Sequence, residues 1–441
     1  MQKNLFIYTF GCQMNVHDSE KIAALMEKSG YASVDDVGKA DLIIINTCSI
    51  REKAAQKVYS QLGRLKEFKK RKPKLIIGVG GCLAQQWGVK FIERVPHLDL
   101  VFGTHNIHSL PDLITTVEKT RAPVVRTDFH ERVKSLGILA PIQNGKVTAY
   151  VTIMQGCNNF CSYCVVPHLR GEEESRSLPE IVMEVEVLAS RGVKEVTLLG
   201  QNVNSYGKSI GNGHDFADLL HEIGSIRGIE RIRFTTSHPK DLSDGLLRCF
   251  SELDKLCEHI HLPVQTGSDR VLKMMNRCYT NADYCERVDK LRSICPGISI
   301  TSDIIVGFPG EAEGDFQATI DMMGKIRFDN LFSFKYSERD GTAAADLGDK
   351  VSESVKNDRL RIVQALQEKY TLERNEAMIG NKEEILVEEI SRNSKEDVAG
   401  RTRTNKIVNF RGGLEMIGKT VSVLITDAYQ HSLRGRLPNV N

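Results

Sequence analysis

The chain has 441 residues, well past the roughly 250–300 at which one hydrophobic core stops growing, so about three domains are expected. Apolar residues make up 41% and charged residues 26%, the usage of folded globular proteins, which excludes a disordered or fibrous chain. The net charge of +2, from 59 basic and 57 acidic side chains, gives no whole-chain signal for a polyanionic partner, so charge must be read locally. No apolar run approaches the roughly 18 residues of a membrane span, and residues 1–10 lack the charged n-region, long apolar stretch and cleavage site of a leader. The chain therefore reads as cytoplasmic, without a membrane partner. Eleven cysteines, an odd number in a long chain with no leader, argue against a disulfide framework and for metal or redox chemistry in some of them.

Short apolar runs at 5–10, 42–45, 75–79 and 98–102 alternate with amphipathic segments, the pattern of an α/β domain built on a parallel sheet, here assigned to residues 1–127. Residues 128–145 lose periodicity and contain Gly137, Pro141, Asn144 and Gly145, which marks a linker. A second series of strands follows near 149–154, 196–199, 232–235, 260–263, 298–305 and 331–334, with helical stretches at 178–190, 216–226 and 316–326 between them. Repeated strand–helix units of this kind close most of a barrel, so residues 146–376 are expected to form a partial TIM-like (β/α)6 barrel. A charge-laced helix is predicted at 355–377. Beyond it, alternating segments at 385–390, 406–410 and 421–425, with turns at 411–413 and 417–418, predict a small all-β barrel over 377–441.

The sharpest motif is Cys157-Asn158-Asn159-Phe160-Cys161-Ser162-Tyr163-Cys164, a C-x3-C-x2-C loop directly after the first barrel strand and Gly156. Three thiolates within eight residues can wrap one face of a [4Fe-4S] cube and leave its fourth iron open to another molecule. The loop also emerges at the carboxyl end of a strand, where strand–helix barrels place their chemistry. A zinc knuckle completed by His168 and a set of buried free thiols are the competing readings. This loop resembles that of the radical S-adenosylmethionine enzymes. The resemblance implies that Cys157, Cys161 and Cys164 hold the cluster, that its open iron chelates S-adenosylmethionine, and that reductive cleavage yields a 5′-deoxyadenosyl radical.

Cys12 follows Gly11 after the first strand, Cys48 follows Thr47 after the second and Cys82 follows Gly81 after the third. Carboxyl ends of parallel strands share one edge of an open sheet, where ligands bind, so three separated thiols could converge there. Free loop thiols and a second cluster are equally good readings of these residues alone. The surrounding strings are Gly11-Cys12-Gln13-Met14-Asn15, Asp18-Ser19-Glu20, residues 46–54, residues 80–85, residues 199–204, Thr235-Thr236-Ser237-His238-Pro239 and residues 262–268. Across nearly the whole chain they resemble the methylthiotransferase family, and within it the tRNA 2-methylthio-N6-dimethylallyladenosine synthases. The resemblance implies an auxiliary [4Fe-4S] cluster on Cys12, Cys48 and Cys82. Two positions depart from the family pattern, Ala312 in place of threonine and Asp340 in place of proline, and bear on the loops around 310 and 340.

Two segments carry local positive charge. Residues 51–74 hold ten Lys or Arg against Glu52 and Glu67, and residues 398–441 hold seven against Glu415 and Asp427; either could attract a phosphate backbone or form an ordinary solvated face. The second lies on the expected small barrel, which resembles the TRAM domain, and Arg401, Arg403, Lys406, Phe410 and Arg411 are its candidate RNA contacts. Gln201, Asn202, Ser237 and Gln265 sit at successive strand ends as candidate S-adenosylmethionine contacts. His238, His259 and His261 read as structural, and Cys249, Cys257, Cys278, Cys285 and Cys295 as packing residues. Gly78-x-Gly80-Gly81 lacks the following residues of a phosphate loop.

Together these readings predict an enzyme that methylthiolates C2 of N6-isopentenyladenosine beside the anticodon of tRNA. It would use two [4Fe-4S] clusters and S-adenosylmethionine as methyl donor and radical source, with a flavodoxin or ferredoxin as electron donor and a separate sulfur source. The same chemistry on threonylcarbamoyladenosine or on a ribosomal protein is the first alternative, from which Gln13-Met14 points away. An RNA-binding scaffold with structural metal centres is the second.

Overall fold

The computed structural model describes residues 2–48, 52–129, 146–211, 213–392 and 394–438, with the side chains of 52–55 set aside. The expected linker, from residue 130 onward, and Ser49, Ile50, Arg51 and the Lys53 side chain lie outside the described residues. The chain divides into two compact units, one of Met1–Ile142, Tyr150–Asn158 and Val165–Glu180, the other of Gln143–Ala149, Asn159–Cys164 and Ile181–Asn441.

The first unit is built on strands β1 (Lys3–Phe10), β2 (Tyr31–Ser33), β3 (Leu42–Thr47), β4 (Ile76–Gly81), β5 (Leu100–Phe102) and β6 (Val124–Arg126). Its helices are α1 (Gln13–Lys28), α2 (Glu52–Arg71), α3 (Cys82–Trp87), α4 (Val89–Arg94) and α5 (Leu110–Thr120). All pairings are parallel and the strand order is β2-β1-β3-β4-β5-β6. Both sheet faces are covered, which is why β3 reads as a continuous apolar run. Ile43 and Ile45 pack with Val58, Leu62 and Leu65 of α2, whereas Leu42 and Ile44 pack with Ile22 and Met26 of α1 and with Leu113 and Ile114 of α5. The short β2 and β6 escaped the sequence reading because three residues carry too little periodicity to register.

The same unit contains the antiparallel pair β8 (Met154–Gln155) and β9 (Glu174–Ser175), which follows β7 (Thr148–Thr152), and between them the short helix α6 (Val166–Arg170). Helix α7 (Leu178–Ser190) leads into the second unit.

There the strands are β10 (Glu195–Leu199), β11 (Arg231–Phe234), β12 (His259–His261), β13 (Ser299–Val306) and β14 (Asn330–Lys335). Helices α8 (Phe216–Ser225), α9 (Asp244–Glu252), α10 (Asp269–Met274), α11 (Asn281–Ile294) and α12 (Glu313–Ile326) intervene. The ladders are β11-β10-β7 and β12-β13-β14, joined by a parallel bridge between Ile232 and Leu256. The expected strand–helix repeat is present.

Helix α13 (Glu353–Glu376) follows, and then β15 (Lys382–Ile390), β16 (Asp397–Thr402), β17 (Ile407–Arg411), β18 (Thr420–Ala428) and β19 (Leu433–Arg436), closed as a barrel in the order β15-β16-β17-β19-β18. Two strands, β16 and β19, were missed because Gly, Arg and Thr dominate their short sequences. Strand β11 explains how this barrel is held. Arg231 donates to the carbonyls of Arg401 (2.7 Å) and Glu384 (3.0 Å), and Arg233 to those of Thr402 (2.7 Å) and Arg403 (2.9 Å). Both guanidiniums are buried, and Arg233 is paired with buried Glu195 at 2.9 Å.

Candidate functional site

Strand register decides where the amino-terminal cysteines go. Phe10 of β1 pairs with Thr47 of β3, which pairs with Gly81 of β4, so the three strands end in one row. Cys12, Cys48 and Cys82 each leave that row within two residues. The strand order reverses between β1 and β3, and such a switch point, outside the carboxyl ends, is where open α/β sheets bind ligands. Gly81 makes the last turn feasible. Its φ is +90° and a Cβ there would collide with Asn46 and the Thr47 backbone, so no larger residue could deliver Cys82 to this edge.

Beneath the cysteines lies a buried polar lattice. Asn46 donates to the Asn15 carbonyl (2.8 Å) and to Ser19 Oγ (3.0 Å), and Asn15 Nδ2 donates back to Asn46 (3.4 Å). This fixes the start of α1, whose N-cap is Cys12. A hydrogen bond from Cys48 pulls the Cys12 thiol down to about 6, helped by the Arg170 charge and by the Asn15 and Met14 backbone, against burial. The shift favours the thiolate, the form that ligates metal. Burial pushes the Cys82 thiol up, with Arg170 opposing.

Arg170 is the residue the sequence reading missed. It ends α6, fully enclosed, with Nη2 2.9 Å from Asp18 and Nε 3.4 Å from Cys82 Sγ, while its buried Nη1 has no hydrogen-bond partner. Burial works against its charge, but Cys82, Asp18 and Cys12 outweigh that and raise its pKa. The carbonyls at the end of α6 are taken by Thr104 Oγ1 on Leu169 (2.9 Å), His105 Nε2 on Arg170 (3.0 Å) and the Cys157 N–H on Gly171 (3.2 Å). Gly156, before Cys157, has φ +80°, and a Cβ would strike the Glu172 carbonyl. Three thiols, one with its pKa lowered, and a buried cation with an unused donor suit an anionic cluster. Among the described residues no group of three His, Cys, Asp or Glu side chains converges to hold a single metal ion; a cube, whose ligands attach to separate irons, sets its thiolates wider apart than one zinc does.

Cys161 and Cys164 belong to the second unit. The Cys164 N–H donates to the Cys161 carbonyl (2.9 Å), a tight turn. Ser162 fixes that turn: its N–H and Oγ donate to the carbonyls of Met275 (3.1 Å) and Met274 (2.8 Å), and its carbonyl accepts from Ala344 (2.8 Å). Asn276 donates to the Phe160 carbonyl (3.0 Å), and Tyr163 packs on the cluster of Val271, Met275, Phe308 and Tyr336. Arg277, buried, reaches Cys161 Sγ (3.5 Å), the Pro263 carbonyl (2.6 Å) and Tyr279 Oη (2.9 Å). Each unit therefore sets a buried arginine against one of the candidate ligand cysteines.

The expected cofactor contacts divide. Ser237 Oγ is buried with no hydrogen-bond partner, and buried Gln265 has φ +77°. Asn202, by contrast, engages its amide within the protein, donating to Asp241 (2.7 Å) and accepting from the His238 N–H (3.1 Å). Asp241 also takes Lys208 (2.7 Å) and Lys240 (3.0 Å), and despite burial these donors bring its carboxyl down to about 2. His238 accepts from the Lys240 N–H on Nδ1, so Nε2 carries the proton and, buried, has no partner. Burial, with Arg277 nearby, pushes its pKa down to about 2. Both polar atoms of the Asn204 amide are likewise unpartnered. A cavity of ≈ 590 Å³ lies beside these strand ends, lined by Asn204, Tyr206, Lys208, Lys240 and Asp241 among others.

The nucleic-acid candidates need correction. Phe410 is fully buried in the small barrel's core and offers no ring for stacking. Arg403 is committed to Glu258 through Nε (2.8 Å) and Nη2 (2.7 Å), and Lys406 to Asn375 (2.8 Å). Arg401 is partly engaged by Asn405 (3.2 Å), and Arg411 is exposed. Among the exposed groups on this barrel are Arg392, Arg411, Lys419, Arg436 and the ring of Tyr429, the last signalled only by an aromatic placed between two strands. On α2, Lys57, Arg64, Lys66 and Arg71 are exposed, whereas Lys69 pairs with Asp99 (2.6 Å). Of the packing cysteines, Cys278 is exposed and the other four are buried.

Three family models match the chain: the one described as "Uncharacterized protein family UPF0004" over residues 4–103, the radical SAM superfamily over 151–323 and the TRAM domain over 376–437. The tRNA-2-methylthio-N(6)-dimethylallyladenosine synthase of Syntrophus aciditrophicus (strain SB) is 61% identical over 436 residues, covering 99% of this chain and 95% of that protein. The chain belongs to the tRNA-2-methylthio-N(6)-dimethylallyladenosine synthase family. A protein of the same name from Geobacter sulfurreducens is 52% identical over 439 residues, covering 99% of this family member and 97% of its relative. Among solved structures, the radical S-adenosylmethionine methyltransferase TsrM from Kitasatospora setae, with cobalamin and a [4Fe-4S] cluster bound, aligns with a TM-score of 0.57 at 15% identity, over 78% of this chain and 74% of that one. At that identity the likeness speaks for the fold. No helix among the described residues is long and apolar enough to cross a membrane.

Proposed function

We propose that this synthase-family member inserts a methylthio group at C2 of N6-isopentenyladenosine at position 37, next to the anticodon of tRNA, with S-adenosylmethionine as both methyl donor and radical source. The convergence of Cys12, Cys48 and Cys82 on one sheet edge, beside buried Arg170, carries the reading, because it supplies a second thiol site, apart from the C-x3-C-x2-C loop, where sulfur could be carried. Cys12, Cys48 and Cys82 hold one [4Fe-4S] cluster and Cys157, Cys161 and Cys164 the other. When bound, the clusters and S-adenosylmethionine supply the sulfur carriage and one-electron chemistry that no side chain provides.

The chain's own residues order and shield these groups. Asn15 and Asn46 hold the edge on which the first three thiols sit, Arg170 and Arg277 set fixed positive charge beside Cys82 and Cys161, and Ser162 fixes the C-x3-C-x2-C turn. Ser237, Gln265 and Asn204 present polar atoms to S-adenosylmethionine, and Asn202 steadies that edge through Asp241. RNA is gripped by Arg401, Arg411, Arg392, Lys419, Arg436 and Tyr429 of the small barrel and by the exposed cations of α2. Electrons come from a flavodoxin or ferredoxin and sulfur from a separate donor.

Anaerobic reconstitution followed by iron and sulfide counts tests the reading: about eight irons per chain are expected, and about four would remove the second site. Cleavage of S-adenosylmethionine to 5′-deoxyadenosine should vanish in Cys161→Ala; its persistence would leave only a structural centre. Nucleoside analysis of tRNA from a deletion strain should show loss of the isopentenyl-linked product alone, whereas loss of a threonylcarbamoyl-linked product would reassign the target.

A further inference from the structure

Strand β14 exposes two aromatic side chains where a barrel strand should bury them: Phe332 is 49% and Phe334 42% exposed. Their direction follows from pleating. Leu331, Ser333 and Lys335 point to the opposite face, and there Lys335 Nζ meets Glu353 (2.8 Å) and Asn357 (2.9 Å) of α13. Phe332 and Phe334 therefore turn away from the helical layer, into the concave side of the strands. In-register parallel pairing sets Asp303 beside Phe332 and Ile305 beside Phe334. On the same face the His261 ring stands edge-on to Phe332 with centroids 6.0 Å apart, its Nε2 is 3.5 Å from Asp303 and its Nδ1 is 2.9 Å from Thr301 Oγ1.

The face is thus an apolar step of Phe332, Phe334 and Ile305 bordered by a hydrogen-bonding pair, His261 and Asp303. It continues to the strand ends already assigned: Gln265 bridges to Ile304 and accepts from the Ile305 N–H (2.9 Å). Ile305 also packs on the same small cluster as Tyr163, which precedes Cys164. A ligand that fits it carries an apolar group next to a polar, hydrogen-bonding one. Scattered exposed apolar residues need no explanation, but two aromatics and an isoleucine on the inner face of a catalytic barrel mark a subsite.

Resting on the function proposed above, we infer that Phe332, Phe334 and Ile305 seat the N6-dimethylallyl group of the target adenosine, with Phe332 and Phe334 as the residues that distinguish it from an unprenylated adenosine. The prenyl chain lies against the two rings, and His261 and Asp303 face the adenine side.

The test uses reconstituted holoenzyme and two anticodon stem-loop RNAs that differ only in the presence of the dimethylallyl group. The ratio of kcat/KM for the two is measured for the parent, Phe332→Ala, Phe334→Ala and Phe332→Leu. Removing an apolar contact of this size should lower the ratio roughly tenfold or more in the alanine variants, with Phe332→Leu retaining most of it. Both rings are half exposed, so the alanine variants should fold; melting curves check this, and Phe332→Gln, which keeps bulk but removes the apolar contact and should lower the ratio as alanine does, carries the test if they do not. A ratio unchanged in every folded variant would overturn the inference. So would a fall in S-adenosylmethionine affinity that matches the whole loss, because the face would then seat the cofactor. A parent enzyme that modifies neither RNA would instead bring down the function reading itself, and this inference with it.

Discussion

Arg170 shows how much one buried side chain can decide. Its guanidinium joins Asp18, 152 residues earlier, and Cys82, 88 residues earlier, so no local pattern could have announced it. The cysteines were legible because ligand spacing and post-strand placement are local features; the cation that sits among them is a product of tertiary folding. Arg170→Met leaves Asp18 charged and unpaired in the interior, which costs about 3–5 kcal/mol, and should strip iron from the amino-terminal site while sparing the other. Denaturant melts and an iron count falling from about eight toward four per chain would show this; full iron with parent stability would make Arg170 incidental. Asp241 offers a pH-dependent counterpart. Its carboxyl sits at about 2, below the ordinary value near 4, so the stability it contributes is complete above pH ~4 and disappears as pH falls toward 2. The stability difference between parent and Asp241→Asn, measured by urea unfolding, should accordingly be present at pH 6 and vanish near pH 2; a difference that grows on acidification would contradict it.

At the level of elements, α13 was predicted nearly to its ends, yet its orientation was hidden. The buried stripe is Lys356, Arg359, Val363, Gln367, Thr371 and Asn375, almost entirely polar, which in sequence reads as a solvent face. Its partners explain it: Gln367 donates to the Phe328 carbonyl (2.8 Å), Thr371 to that of Asp329 (3.0 Å) and Arg359 to Glu311 (2.7 Å). The helix satisfies backbone acceptors at the mouth of β14 rather than filling a greasy groove. The departure at Ala312 has a similarly local meaning. Ala312 is the N-cap of α12 and its N–H is held by Asp315 (2.8 Å), but alanine returns no acceptor. Ala312→Thr should supply one and raise stability by about 0.5–2 kcal/mol, read from thermal unfolding; a lower melting temperature would mean that the cap is already satisfied in another way.

For the whole molecule, the small terminal barrel was readable from a change of periodicity, but its attachment was not. Arg231 and Arg233 look like surface residues on a short strand and are instead the buried bolts of the terminal barrel. Deleting residues 377–441 should therefore do more than weaken RNA binding. With the carbonyls of Glu384, Arg401, Thr402 and Arg403 gone, Arg231 loses the partners that hold it, Arg233 keeps only Glu195, and the strand layer should lose stability. A truncated protein that melts at the parent temperature would show the bolts to be dispensable.

That attachment bears on how a nucleic acid would be measured out. Because β11 grips the backbone of the terminal barrel rather than a tether, a tRNA stem clasped there cannot be carried in on a swinging arm; it rests on a fulcrum at a set spacing from the strand ends. If the RNA contacts proposed above hold, the base to be altered is chosen by arm length as well as by chemistry, and an anticodon stem lengthened by one pair would present the wrong nucleotide.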